Sequence, residues 1–324
     1  MKGYVAYKSP NSDTITIQKG TALTYSELNT ITDSNSFIFN TFNSEENYLI
    51  TNLKSCNLSD FEIYFNTDNN FCIKQDEYIK NCNELIIFLN QSKLDKVILS
   101  RLKKIKNDFD PIELFNVLNT NYKNTFNYLI SIEGMGSWIG STPEMLLTRK
   151  KNNFKTVSIA GTKKSENIEW GNKELEEQQI VTDYISNTLK QNSISFTQSE
   201  SETIKAGHVF HLRTKFKGLI NTNLSTLIKA LHPTPATCGL PKIDAKLHIE
   251  TIEKHNRKFY TGFLGSTSKD NTNLFVNLRC LEIQKKQCYL YLGGGITTQS
   301  IPEDEWNETE NKANTLLQAI SLIT

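Results

Sequence analysis

Glutamate recurs at one spacing on two stretches of this chain that read as helices, each time on the line that should face inward. In "NKELEEQQIVTDYISNTLK" the apolar stripe runs Val181, Tyr184, Ile185 and Thr188, and helical spacing carries it back to Glu177 and Glu174. In "PEDEWNETENKANTLLQAI" the stripe of Leu316, Ala319 and Ile320 runs back through Lys312 to Glu308 and Glu305. Acids in a first helical turn also complement the helix dipole, which is the plainer reading of either helix alone. A carboxylate carried inward must instead be paired or bound to a cation. Convergence of Glu177 and Glu308 would make an oxygen-rich site suited to Mg²⁺, a hard cation that keeps several waters and bridges to an anionic ligand. Zinc does not suit, because His208 and His211 in "GHVFHLRT" fall on opposite faces of a strand.

Cations stand inside apolar stretches too: Lys96 heads "KVILSR" and Arg279 interrupts "LFVNLRCLEI". Each alone reads equally as a snorkelling or paired charge. Together with Lys312 they offer positive charge to a dicarboxylate beside a metal. The run Gly293 to Gly295 in "YLGGGI" lets backbone approach a ligand closely, or simply makes a tight turn. No Walker pattern is present, so nucleotide phosphate is not indicated. "STPE", Ser141 to Glu144, has the spacing of a capping box with Pro143 near a helix start.

The elements that must position these groups alternate without a strict βαβ rhythm. Strand patterns such as "KVILSR", "NYLISI", "SWIG", "KTVSIAGT", "GHVFHLRTKFKG", "LFVNLRCLEI" and "CYLYLGG" come in adjacent pairs. Helices are predicted from Asp110 as N-cap with Pro111 in the first turn, from about Asn172 to Gln191, near "LSTLIKAL", through "AKLHIETIEKHN", and from about Glu303 to Leu322. The pattern predicts an α/β (α+β) architecture with a mostly antiparallel sheet rather than a Rossmann or TIM fold. Between two helices stands the stiff segment "LHPTPATCGLPK", Leu231 to Lys242.

Composition narrows the partners. With 324 residues and a formal net charge of +1, the chain has no electrostatic footing for a sequence-independent grip on nucleic acid or an anionic membrane. No run approaches the roughly 18 apolar residues of a membrane span, and the amino terminus lacks the apolar core of a signal peptide. A cytoplasmic location is the expectation. The six cysteines show no CxxC pair and read as reduced thiols, mostly in the core.

Taken in order, "KVILSR", "STPEMLL", "SIAGTKK", "KELEEQQIVTDYI", "HLRT", "LHPTPATCGLPK", "FYTGFLG", "NLRCLEI", "YLGGGI" and "PEDEWNETENKA" resemble the motifs of the chorismate-utilising enzymes. That family includes isochorismate, salicylate, anthranilate and aminodeoxychorismate synthases. The resemblance covers residues 91–324 as a chorismate-binding catalytic region; residues 1–90 look like a shortened, divergent N-terminal part of the same fold. It implies a single large domain with helices flanking an extensive antiparallel sheet system, and an active site in a central cleft. By motif position, Glu177 and Glu308 would hold Mg²⁺, with Glu174 and Glu305 supporting them. Arg279, Tyr260, Lys312, Gly293 and Gly295 would hold substrate carboxylates, and His211, Gly161, Thr162 and Ala236 would line the ring pocket.

The chemistry implied is addition of water at C2 of chorismate with Lys96 as general base, while Glu144, kept protonated by its pocket, gives a proton to the departing C4 hydroxyl. Ala236 stands where salicylate and anthranilate enzymes typically have Thr, so the form here resembles isochorismate synthases. Salicylate synthase, which goes on to eliminate pyruvate, is the second reading; a non-catalytic chorismate-binding protein is the third, and it would be expected to lack Lys96, Glu144 or a metal glutamate. The chain carries no glutamine amidotransferase domain, no amidotransferase subunit is expected, and a monomer is. Gln178 departs from the family pattern, where His or Asn is frequent, as do "AGTKK", where Arg is common after the Thr, and Cys238.

Overall fold

The computed structural model of the chain describes residues 1–26, 35–206, 209–220 and 223–324. Its elements run β1 (Lys2–Lys8), β2 (Ile15–Tyr25), β3 (Ser36–Asn40), β4 (Asn47–Ser55), α1 (Gln75–Gln91), β5 (Lys96–Lys106), α2 (Pro111–Asn121), β6 (Phe126–Ile132), β7 (Gly136–Thr142), β8 (Met145–Lys150) and β9 (Asn153–Lys163). They continue with α3 (Asn172–Gln191), β10 (Phe196–Gln198), β11 (Glu202–Ala206), β12 (Val209–Leu219), α4 (Leu224–Leu231), β13 (Gly239–Leu240), α5 (Lys242–Ile252), β14 (Phe263–Thr267), β15 (Asn271–Val276), β16 (Cys280–Ile283), β17 (Gln287–Ile296) and α6 (Pro302–Ile320).

The ladders between these strands are antiparallel and form one hydrogen-bonded path. It runs β13, β5, β17, β16, β7, β6, β1, and then β2, β4, β3, β14, β15, β8, β9, β12, with β10 and β11 both on β12. At β1 and β2 the path folds back, so its halves face each other. One cluster shows this directly: Tyr128, Trp138, Cys280, Tyr289 and Tyr291 from the first half pack with Phe37, Phe39, Ile50 and Phe275 from the second. Alternate residues of the same strands point outward. Leu129, Ile139, Leu281, Leu290 and Leu292 pack under α2 and α6, as the period of two in a strand requires. Leu147 and Phe154 of the second half pack under α3 and α4, and β5 also packs on α1 and α5. The result is the helix-flanked, antiparallel sheet system that the pattern predicts.

Local signals set the helix ends. Asp110 accepts from the Ile112 amide at 2.8 Å as N-cap of α2, with Pro111 at the first position, where its missing N–H costs nothing. Pro302 likewise takes the first position of α6, where the N-cap is Ile301 and no side chain caps the helix. Cys82, Cys238, Cys280 and Cys288 are buried, and all six cysteines are thiols.

Two sequence expectations need correction. "LFVNLRCLEI" is not one strand: β15 stops at Val276, β16 starts at Cys280, and Arg279 lies between with φ of 48°. "STPE" opens no helix, since Ser141 and Thr142 end β7 and Met145 begins β8, so the capping-box spacing is incidental. Both breaks occur where the chain leaves one half of the sheet path for the other, and bends of this kind are how strands change layers. They are neighbours: the Val276 amide donates to the Glu144 carbonyl at 2.9 Å, and the Ser141 amide to the Arg279 carbonyl at 3.1 Å.

Candidate active site

A cleft of about 550 Å³ opens between the strands near the two ends of the sheet path, and every site residue predicted from the sequence lines it. β5 and β17 supply Lys96 and Gly293 to Gly295; β9 and β12 supply Gly161, Thr162 and His211. The first two turns of α3 and α6 add Glu174, Glu177, Glu305 and Glu308, with Lys312 a turn further along. The two layer-switching bends add Glu144 and Arg279, and the segment after α4 adds Ala236. Tyr260 comes from the connection between α5 and β14. His208 lies outside the described residues.

Charge pairs organise the cleft. Lys96 Nζ lies 3.7 Å from Glu177 Oε2, at the loose limit of an ion pair. Lys312 Nζ lies 2.6 Å from Glu308 Oε1 one helical turn away, and also donates to the Gly293 carbonyl at 2.8 Å. The Lys312 ammonium, outweighing partial burial, holds Glu308 below the usual carboxylate range. Glu305 moves the other way, pushed up by burial and then by Glu308. The stripes therefore leave the core over the first two turns of each helix and present their acids to the cleft.

Glycines make room for side chains. A Cβ on Gly295 would lie 2.2 Å from Lys96 Cε, so the lysine crosses β17 only because residue 295 has none. On Gly293 a Cβ would approach the Tyr260 hydroxyl to 2.9 Å, and on Gly294 it would stand 3.1 Å from Glu305 Oε2 and 3.9 Å from Glu308 Oε1. The triple glycine is thus no tight turn: it lies within β17, paired with Ser100 to Ile98 of β5.

Glu144 is the group most displaced for chemistry: burial raises its carboxyl to about 7, against the pull of Lys312. Burial also lowers Arg279 and raises Tyr260. Arg279 is aimed by Thr315 of α6, whose hydroxyl accepts from Nη1 at 2.6 Å. His211 Nδ1 lies 2.8 Å from the Gly161 carbonyl; that oxygen only accepts, so the proton is on Nδ1 and Nε2 keeps a lone pair. Burial lowers the His211 pKa, which holds the ring neutral.

The four glutamates suit a hard cation. Glu305 Oε1 accepts from Ser300 at 2.7 Å, while its Oε2 is buried without a hydrogen-bond partner, beside the space left by Gly294. A buried carboxylate oxygen in that condition needs a cation, a proton or a water. Among the described residues no three acidic, His or Cys side chains form a ready-made ion cluster, in keeping with Glu177 facing Lys96 and Glu308 facing Lys312. An all-oxygen donor set of this kind fits Mg²⁺.

Sequence reading passed over the residues that hold the walls. Gln178, noticed only as a departure from pattern, is buried and donates to Ser158 Oγ at 2.9 Å and Thr182 Oγ1 at 3.2 Å, seating α3 on β9. Arg101 stacks over the Trp306 ring at 3.8 Å and donates to Thr309 at 2.8 Å, fixing α6 on β5. Glu253 and Arg257, four apart in "EKHNR", look like an ordinary surface pair, yet each side chain is 3 % exposed. Only the neighbouring apolar "FYTGFLG" hints that this segment runs inward.

Residues 13–321 match the family described as chorismate binding enzyme. Isochorismate synthase EntC of Escherichia coli (strain K12) is 31% identical over 246 residues, 71% of this chain and 63% of that protein. Isochorismate synthase MenF of Haemophilus influenzae is 30% identical over 253 residues, 72% of this chain and 58% of that protein. The matches thus span somewhat less than two thirds of these curated relatives. In fold, the solved structure of MenF, the menaquinone-specific isochorismate synthase from Escherichia coli, superposes with a TM-score of 0.85 at 19% identity, covering 98% of this chain and 88% of that one.

Proposed function

The chain belongs to the chorismate binding enzymes, and from that membership and the chemistry of the cleft we propose that it isomerises chorismate to isochorismate. The observation that carries the reading is a carboxyl raised to about 7, Glu144, in the same cleft as the amine of Lys96. Those are an acid and a base for moving a hydroxyl from C4 to C2. Isochorismate synthases of Escherichia coli and Haemophilus influenzae are among the chain's relatives.

Arg279, Tyr260 and Lys312 take the substrate carboxylates, Lys312 exchanging its bond to Glu308 for one to substrate. His211, with its bare Nε2, accepts from a ring hydroxyl. Lys96 removes a proton from the water whose oxygen bonds to C2; the ring double bonds shift, the C4–O bond breaks, and Glu144 supplies the proton with which that oxygen leaves as water. One water enters and one departs, and both residues then exchange protons with solvent. Glu177 and Glu308, supported by Glu174 and Glu305, would hold Mg²⁺, which when bound offsets the negative charge of the substrate carboxylate and acids.

Residues 1–90 belong to this unit as a divergent N-terminal part of the same fold, and the protein acts as a cytoplasmic monomer without an amidotransferase subunit. Ala236, lacking a hydroxyl beside the ring pocket, favours release of isochorismate over pyruvate elimination. Product analysis of the purified chain with chorismate, with and without Mg²⁺, tests the reading. Isochorismate without pyruvate supports it, equimolar pyruvate and salicylate would assign the salicylate reaction instead, and no turnover with Mg²⁺ present would refute both.

A further inference from the structure

Three walls of the cleft meet at one guanidinium. Arg257 Nη2 donates to the Ile98 carbonyl at 2.7 Å, on the strand that begins with Lys96. Nη1 donates to the Thr237 carbonyl at 2.8 Å, next to Ala236, and to Thr261 Oγ1 at 3.4 Å, next to Tyr260. The remaining donors go to Glu253: Nε to Oε2 at 2.8 Å and Nη2 to Oε1 at 2.6 Å. Glu253 Oε1 in turn accepts from the Ser100 amide at 2.7 Å, two residues beyond Ile98 on β5. Against the burial that pushes it up, Arg257 holds Glu253 below the usual carboxylate range. A fork with every arm satisfied is a rigid bracket, because a planar guanidinium fixes all its partners at once.

We propose that the buried Glu253–Arg257 pair is a positioning device: it sets the strand carrying Lys96 against the Ala236 turn and the Tyr260 bend without touching substrate. A buried ion pair is a poor source of stability, since its desolvation offsets its attraction. Its value here lies in tying backbone carbonyls from segments far apart in sequence to a single point. The inference rests on the isochorismate reading of the cleft.

Removing one charge would strand the other and threaten folding, so the test replaces both. In Glu253→Gln/Arg257→Met the Gln carbonyl still accepts from Ser100, no charge is left alone, and the links to Ile98 and Thr237 are gone. The expected result is a melting temperature close to that of the unaltered protein, with kcat lower by about 100-fold, as for an ångström-scale misplacement. KM for chorismate and the Mg²⁺ dissociation constant should move far less, a split that general loosening does not produce. A folded double variant with unaltered kcat overturns the proposal. Should it not fold, Arg257→Lys decides: it keeps the charge but cannot reach both carbonyls, so lost kcat at intact melting temperature supports the proposal. Unaltered kcat, or failure of that variant to fold, overturns it. An unaltered protein that makes no isochorismate counts against the proposed reaction, not against the pair.

Discussion

Glu144→Gln isolates the acid in the proposed reaction. The side chain keeps its shape and place at the layer-switching bend but loses the titrating proton. Burial raises the Glu144 carboxyl to about 7, so about ten molecules in eleven carry the proton one pH unit below that value, and about one in eleven one unit above it. An acid must be protonated to donate. The rate of the acid-assisted step therefore falls as pH rises through about 7, approaching tenfold per unit beyond it. Lys96 is common to both proteins, so a limb that falls with rising pH in the ratio of the unaltered rate to the Glu144→Gln rate belongs to Glu144. Glu144→Gln should lower kcat by about 100- to 10,000-fold, the usual worth of general acid catalysis, and abolish that limb in the residual rate. Initial rates of isochorismate formation at saturating Mg²⁺ between about pH 5 and pH 9 measure both. A variant that kept the falling limb, or turned over at the unaltered rate, would refute the assignment.

Other expectations follow from the same geometry. Lys96→Ala should abolish turnover and leave Mg²⁺-dependent chorismate binding, measured by calorimetry; retained turnover would remove the base assignment. Glu177→Gln or Glu308→Gln should raise the Mg²⁺ concentration needed for half-maximal rate sharply, by about tenfold or more for a lost hard ligand, and an unchanged metal titration would refute the ligand set. Gly295→Ala should leave the melting temperature nearly unchanged, because the atom in its way, Lys96 Cε at 2.2 Å, belongs to a flexible side chain. Turnover should nonetheless drop with Lys96 displaced, and full activity would show that Lys96 need not lie across β17.

How far the site could be read in the sequence depended on the distance over which each signal acts. The glutamates were legible because helical spacing is local: Val181 and Leu316 predict on their own where Glu177 and Glu308 point. Arg279 was legible as a misplaced charge, though not as the left-handed residue between two strands, because nothing in "LFVNLRCLEI" says that the chain changes layers there. "STPE" misled for the same reason, its spacing fitting a cap as well as a bend. Gln178 and the Glu253–Arg257 pair were missed because a polar residue reads as exposed until its partners are known.

Periodicity, caps and ordered motifs determined the elements, the largely antiparallel class, and which residue types face inward, since these depend on neighbours a few positions away. Tertiary structure alone decided that strands near opposite ends of one hydrogen-bonded path would close on a single cleft. It also decided that Lys96 would rest on Gly295, that Glu305 would keep an unpartnered oxygen beside Gly294, and that Glu144 would be buried enough to hold its proton near neutrality. Desolvation and charge pairing depend on atoms contributed by segments far apart along the chain, and those come together only when the sheet folds back on itself.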